Sequence, residues 1–175
     1  MMSTLANTMA TALAVSMLID VSGAPGASGT SPQAGGRPVS ANRGNHLTTQ
    51  STVGDMVRHP AFAGFGRLIL PWDDRPYDEG LPLARIGSLL PYHSHVDPAT
   101  AVAALNRMID DAARGQTVFY RFYSQEQTRQ QPAKSNTGLF YFRGKPGAPF
   151  AVICPGGGFT YVASLHEGFP YAQAI

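Results

Sequence analysis

At 175 residues, 43% hydrophobic and 14% charged, the chain has the apolar content of one packed domain and the composition of neither a disordered nor a collagen-like polypeptide. Its formal charge of +2 comes from Lys and Arg scattered along the chain, so no basic stripe exists to capture nucleic acid by counterion release. Cys154 is the single cysteine, which excludes an intrachain disulfide and leaves the redox compartment open.

Residues 10–19 form an apolar run too short to span a bilayer. Val21-Ser22-Gly23-Ala24 follows, a small-x-small pattern ending at Ala24, so residues 1–24 read as an export signal peptide. The run departs from the usual pattern in having no Lys or Arg before Arg37. Residues 25–51 are Gly, Pro, Ser, Thr, Asn and Ala with almost no large apolar side chain. Such a segment buries too little surface to offset its ordering entropy, and it reads as a linker. The protein is therefore expected to be secreted or periplasmic, with no membrane span.

Residues 52–116 read as an N-terminal arm, broken by Pro60, Pro71, Pro76, Pro82 and Pro91. A short helix is expected around Thr52–His59. Phe62, Phe65, Leu68, Ile69, Leu70 and Trp72 need an apolar surface and are expected to pack on the domain that follows. Asp97-Pro98 opens the clearest helix, 98–114, because Asp caps free amides and Pro suits the first helical position. Val102, Leu105, Ile109 and Ala112 recur at helical spacing, and Gly115 suits the left-handed position that ends it.

Residues 117–175 hold three expected strands. Thr117–Ser124 is aromatic and β-branched, Gly138–Arg143 follows a polar loop containing Gln130, Gln131 and Pro132, and Phe150–Cys154 is an unbroken apolar run. A continuous run predicts cover on both faces. The short loop Gly144–Pro149 predicts that the last two strands are antiparallel neighbours. Glu167–Ile175 reads as a helix. A buried strand feeding a helix is the first half of a βαβ unit whose parallel partner is not found in the sequence, so the domain is expected to be incomplete.

The chemistry rests on Cys154-Pro155-Gly156-Gly157-Gly158-Phe159, directly after the third strand. Three glycines permit backbone angles and close approaches that side chains forbid. A loop of this kind aims adjacent N–H groups at a developing oxyanion, each contributing roughly 3–4 kcal/mol to an acyl-transfer barrier. The glycine spacing fits neither a dinucleotide fingerprint nor a phosphate loop.

Strand, Gly-Gly-Gly-Phe, then helix resembles the oxyanion loop of α/β-hydrolase esterases and lipases. The stretch Gly138–Ala172, with Pro155-Gly-Gly-Gly-Phe159 and His166-Glu-Gly-Phe-Pro-Tyr-Ala172, is similar to the feruloyl-esterase-like branch. The resemblance implies an α/β fold, here the N-terminal part of a hydrolase sheet. It also implies a small-molecule ester or acylated carbohydrate as substrate, with no cofactor or metal. By resemblance Gly157 and Gly158 are the oxyanion donors, Gly156 shapes the turn, and Phe159, His166 and Glu167 line the pocket. Pro155 stands where many relatives have His. No Gly-x-Ser-x-Gly nucleophile elbow occurs in the 175 residues, so nucleophile, acid and base are absent and the chain alone is expected to be inactive.

Other groups carry weaker chemistry. His93, His95 and Asp97 could face one way as metal ligands, but Asp97 serves better as a cap. Asp73, Asp74, Asp78 and Glu79 suit a solvated loop better than a Ca²⁺ site. Ser164, His166 and Glu167 mimic triad residue types but are too close in sequence for triad geometry. Cys154 is expected to be a buried strand-end thiol. Two rival functions stay open: a prolyl-oligopeptidase-like peptidase, and a non-catalytic exported binding module.

Overall fold

A computed structural model describes residues 16–18, 46–72, 75–90, 92, 95–157 and 160–175. Most of the expected leader and linker lies outside these residues, as do Asp73, Asp74, Pro91, His93, Gly158 and Phe159.

The described chain mixes helix and strand, a broadly α/β composition. Helix α1, Val53–Val57, starts at Thr52, whose hydroxyl accepts the Asp55 amide while the Asp55 carboxylate accepts the Thr52 amide. That reciprocal box satisfies two amides a helix start would leave bare. Three 3₁₀ turns, Pro60–Phe62, Gly66–Ile69 and Leu83–Leu89, carry the proline-broken arm. Helix α2, Pro98–Ala113, has Asp97 as its cap, accepting the Ala99 and Thr100 amides. Gly115, at φ +76°, follows its last turn, and the Gln116 amide reaches back to the Asp111 carbonyl at 3.0 Å. This is the glycine-dependent closure expected of a helix end.

Strand β1 is Ser16–Leu18, β2 is Phe119–Arg121, β3 is Gly138–Tyr141 and β4 is Val152–Ile153. The sheet order is β2-β3-β1-β4. β2 is antiparallel to β3, β1 is parallel to β3, and β4 is antiparallel to β1. The expected pairing of the second and third strands is therefore corrected: β1, from the apolar run expected as a leader, lies between them. The 144–149 loop needs to cross only two strand spacings, about 9.6 Å, which its length allows.

A second correction concerns the Phe150–Cys154 run. Only Val152–Ile153 is strand, and exposure alternates, with Phe150 62% and Val152 52% exposed and Cys154 also exposed. Hydrophobic residue types there signalled cover on both faces, but one face of β4 is wet. The expected burial of the Cys154 thiol fails for the same reason. Between β2 and β3, the polar stretch expected as loop instead folds as helix α3, Gln125–Gln130, and a 3₁₀ turn, Pro132–Asn136.

One core joins all of this. Phe62, Leu68, Ile69 and Leu70 of the arm are buried in the same cluster as Leu105 and Met108 of α2, Phe140 of β3 and Phe142 just after it. Phe65 of the arm stacks on Phe119 at 4.7 Å, Phe119 meets Phe140 at 5.0 Å, and Phe140 meets Phe169 edge-on at 5.0 Å. Phe169 opens the last helix, α4, Phe169–Ala174. Aromatic pairs in these geometries add to simple area burial, and this file of rings ties arm, sheet and C-terminal helix together.

Candidate oxyanion loop

Strand β4 delivers the chain into the glycine turn through a buried Pro155 and an exposed Gly156. Gly157 and Tyr161 then form an antiparallel bridge. The Gly157 amide donates to the Tyr161 carbonyl at 3.3 Å, and the Thr160 amide donates back to the Gly157 carbonyl at 2.9 Å. A β-carbon at Gly157 would sit 1.9 Å from Cζ of Tyr161, so a larger residue there must displace the ring lying across it. The base of the turn is fixed by the Val162 amide, which donates to the Pro71 carbonyl at 3.0 Å. Trp72 meets Tyr161 edge-on at 6.3 Å. The arm thus supplies the floor on which the glycine turn sits.

Of the residues assigned to the loop, Gly156 and Gly157 are brought together at the end of β4, while Gly158 and Phe159 lie outside the described residues. Gly157 has its amide occupied inside the turn rather than directed to open space. At 3.3 Å that bond is beyond the usual 2.7–3.2 Å range for N–H to oxygen, so it holds the closed turn weakly. Tyr161 is the participant that sequence reasoning missed, because nothing in residue spacing reveals which ring crosses a glycine.

A π-helical turn, Ser164–Gly168, leads from the loop into α4. The Gly168 amide reaches the Ala163 carbonyl at 3.2 Å and the Glu167 amide reaches the same carbonyl at 2.8 Å. Single π turns are uncommon and recur at functional sites. His166 is 5% exposed, and its Nε2–H donates to the Ile86 carbonyl at 2.8 Å. The structure therefore buries His166 against the Leu83–Leu89 turn, while Glu167 is half-buried. The Ser164 hydroxyl is buried and lacks a hydrogen-bond partner among the described residues.

Asp97 is committed to capping α2. The Thr100 hydroxyl, then the Thr100 and Ala99 amides, hold its carboxyl below the ordinary 3.8. Hydrogen bonds to the charged form favour ionisation in this way. Among the described residues, no three His, Cys, Asp or Glu side chains gather where they could hold a metal ion, and no helix is long and apolar enough to cross a membrane. No family model, curated protein or solved structure matches the chain.

Proposed function

We propose that this chain supplies the oxyanion-hole loop of an exported serine hydrolase that cleaves carboxylic esters by acyl transfer. The observation that carries the reading is the order of backbone shapes: extended β4, a tight turn at Gly156-Gly157, and a helical segment from Ser164 onward. In the working state, the Gly157 amide leaves its 3.3 Å bond to the Tyr161 carbonyl and, with Gly158, donates to the oxygen that becomes negative when a serine attacks the ester carbonyl. Such donors act strongly because the pocket is poor in water and their orientation is set beforehand. The 175 residues hold no Gly-x-Ser-x-Gly, so the nucleophile elbow this reaction needs is not found in them.

Reading the coding sequence in frame beyond Ile175 is the first test: a Gly-x-Ser-x-Gly there is expected, and its absence removes the proposal. An active protein should hydrolyse nitrophenyl esters faster than aminoacyl-anilides, and faster anilide cleavage would favour a peptidase. Gly157→Val drives a side chain against the Tyr161 ring and moves the loop amides off their target; it should lower kcat by about 10²–10³-fold, the order seen when an oxyanion donor is lost.

The occupied Gly157 amide favours a second reading, a non-catalytic exported module in which the turn is purely structural. Under that reading Gly157→Val alters stability and leaves any hydrolysis unchanged.

A further inference from the structure

We infer that the cleft between the Gly66–Ile69 turn and the Pro132–Asn136 turn is a binding site for a small organic oxyanion, a carboxylate or phosphoryl group on an apolar stem. The cleft has a volume of about 400 Å³ and includes no residue of the glycine loop, so the inference does not depend on the hydrolase reading.

Two guanidinium groups from distant parts of the chain, Arg67 and Arg121, line it, and no Asp or Glu does. Elsewhere Arg58, Arg114 and Arg129 each pair with a carboxylate, that of Glu79, Asp111 and Glu126 respectively. Arg67 and Arg121 differ in that their hydrogen bonds among the described residues go only to backbone carbonyls. Arg121 donates from Nη1 to the Ser135 carbonyl at 2.6 Å and from Nη2 to the Gly64 carbonyl at 2.7 Å. These two bonds hold its fork in place and leave its positive charge uncancelled. Arg67 donates from Nη2 to the Arg75 carbonyl and lies 4.3 Å from the Tyr77 ring centroid.

What an anion in the cleft meets is the charge of two guanidiniums with no carboxylate among the described wall residues to cancel it, and guanidinium geometry suits two-oxygen acceptors. Val57, Phe65 and Leu68 supply apolar wall, so the ligand is an oxyanion with a hydrophobic stem rather than a bare, fully hydrated ion.

The test is calorimetric titration of the full chain, at low ionic strength, with phenyl phosphate, benzoate and inorganic phosphate. Saturable one-to-one binding of an aryl anion is expected. Preference for phenyl phosphate identifies a phosphoryl ligand, and preference for benzoate identifies a carboxylate ligand. Arg121→Gln should weaken binding at least about tenfold, the usual order for a charge-assisted hydrogen bond. Arg121 is exposed, so this variant is expected to keep its fold, which its melting curve checks. Arg67→Gln should weaken binding similarly, while Arg129→Gln, on α3 and outside the cleft, should not. The inference is overturned if none of the three anions binds saturably, or if folded Arg121→Gln binds as the unaltered chain does.

Discussion

A methyl group at Gly157 would sit 1.9 Å from Cζ of Tyr161, whereas at Gly156 the nearest atom is the Tyr161 carbonyl oxygen, 3.6 Å away. Gly157→Ala therefore forces the half-exposed ring to swing aside, and it should cost about 1 kcal/mol. Gly156→Ala meets ordinary contact and should stay within about 0.5 kcal/mol. Urea midpoints of the two variants check this, and equal losses would show that Tyr161 does not lie across the turn. The glycines themselves were legible because they follow an apolar run and precede a helix signal. The crossing ring was not, since its position depends on the Pro71–Val162 bond and the Trp72 contact, both made by a segment far away in sequence. Two exposed aspartates set a pH dependence at the same scale. Bonds from the Thr52 amide and hydroxyl hold Asp55 below 3.8, and the Thr100 hydroxyl leads in doing so for Asp97. A carboxyl lowered by folding contributes stability that is full above its unfolded value and is lost as pH falls through its folded value. The melting temperature should therefore fall on acidification below about pH 4. Asp55→Asn with Asp97→Asn should flatten that acid limb, and an unchanged limb would assign it to other groups.

Helix α2 was readable end to end, from Asp97-Pro98 through its 3–4 spacing to Gly115, because capping and periodicity are local properties. Its role as an anchor was not. The Asn106 side chain accepts the Leu47 amide at 2.8 Å and donates to the Leu47 carbonyl at 2.9 Å, while His46 meets Asp110 at 2.8 Å. These contacts pin residues 46–47 to the helix across some sixty positions of sequence and bury Leu47 in the core, which corrects the expected linker at its C-terminal end. Asn106→Ala should cost about 1–3 kcal/mol, because it leaves partly buried backbone groups unpaired, and should raise hydrogen exchange at Leu47. Helix α3 went unrecognised although its signal was present: Ser124 and Gln127 form a capping box, which polar composition masked. Strand β4 shows the opposite error, where apolar composition overrode position. Phe140 is fully buried and Phe150 is 62% exposed, so Phe140→Ala should cost about 3–5 kcal/mol. Phe150→Ala should change stability by less than about 0.5 kcal/mol. Comparable losses would mean that Phe150 is covered rather than exposed.

At the level of the whole molecule, the arm, α2 and the aromatic file share one core, while the sheet depends on a segment from the far N-terminus. β1 is the strand that joins β3 to β4, parallel to one and antiparallel to the other. Residues 16–18 also lie inside the run that reads as an export leader. One set of residues cannot be both a leader cut off at Ala24 and the inner strand of the mature sheet, so the two roles make opposite demands. A chain starting at residue 25 decides between them. If β1 is integral, removing it opens one edge of β3 and leaves β4 with no partner strand, and the amides that faced β1 become accessible to water. Hydrogen exchange should then quicken at Phe140 and at the one of Val152 and Ile153 whose amide faces β1, since neighbouring strand amides point to opposite sides. Amides inside α2 should stay protected, because their bonds are internal to the helix and its buried face packs against the arm and α4. Unchanged protection at Phe140 and at the β1-facing amide of β4 in the shortened chain would show that β1 is dispensable, which is what a cleaved leader requires.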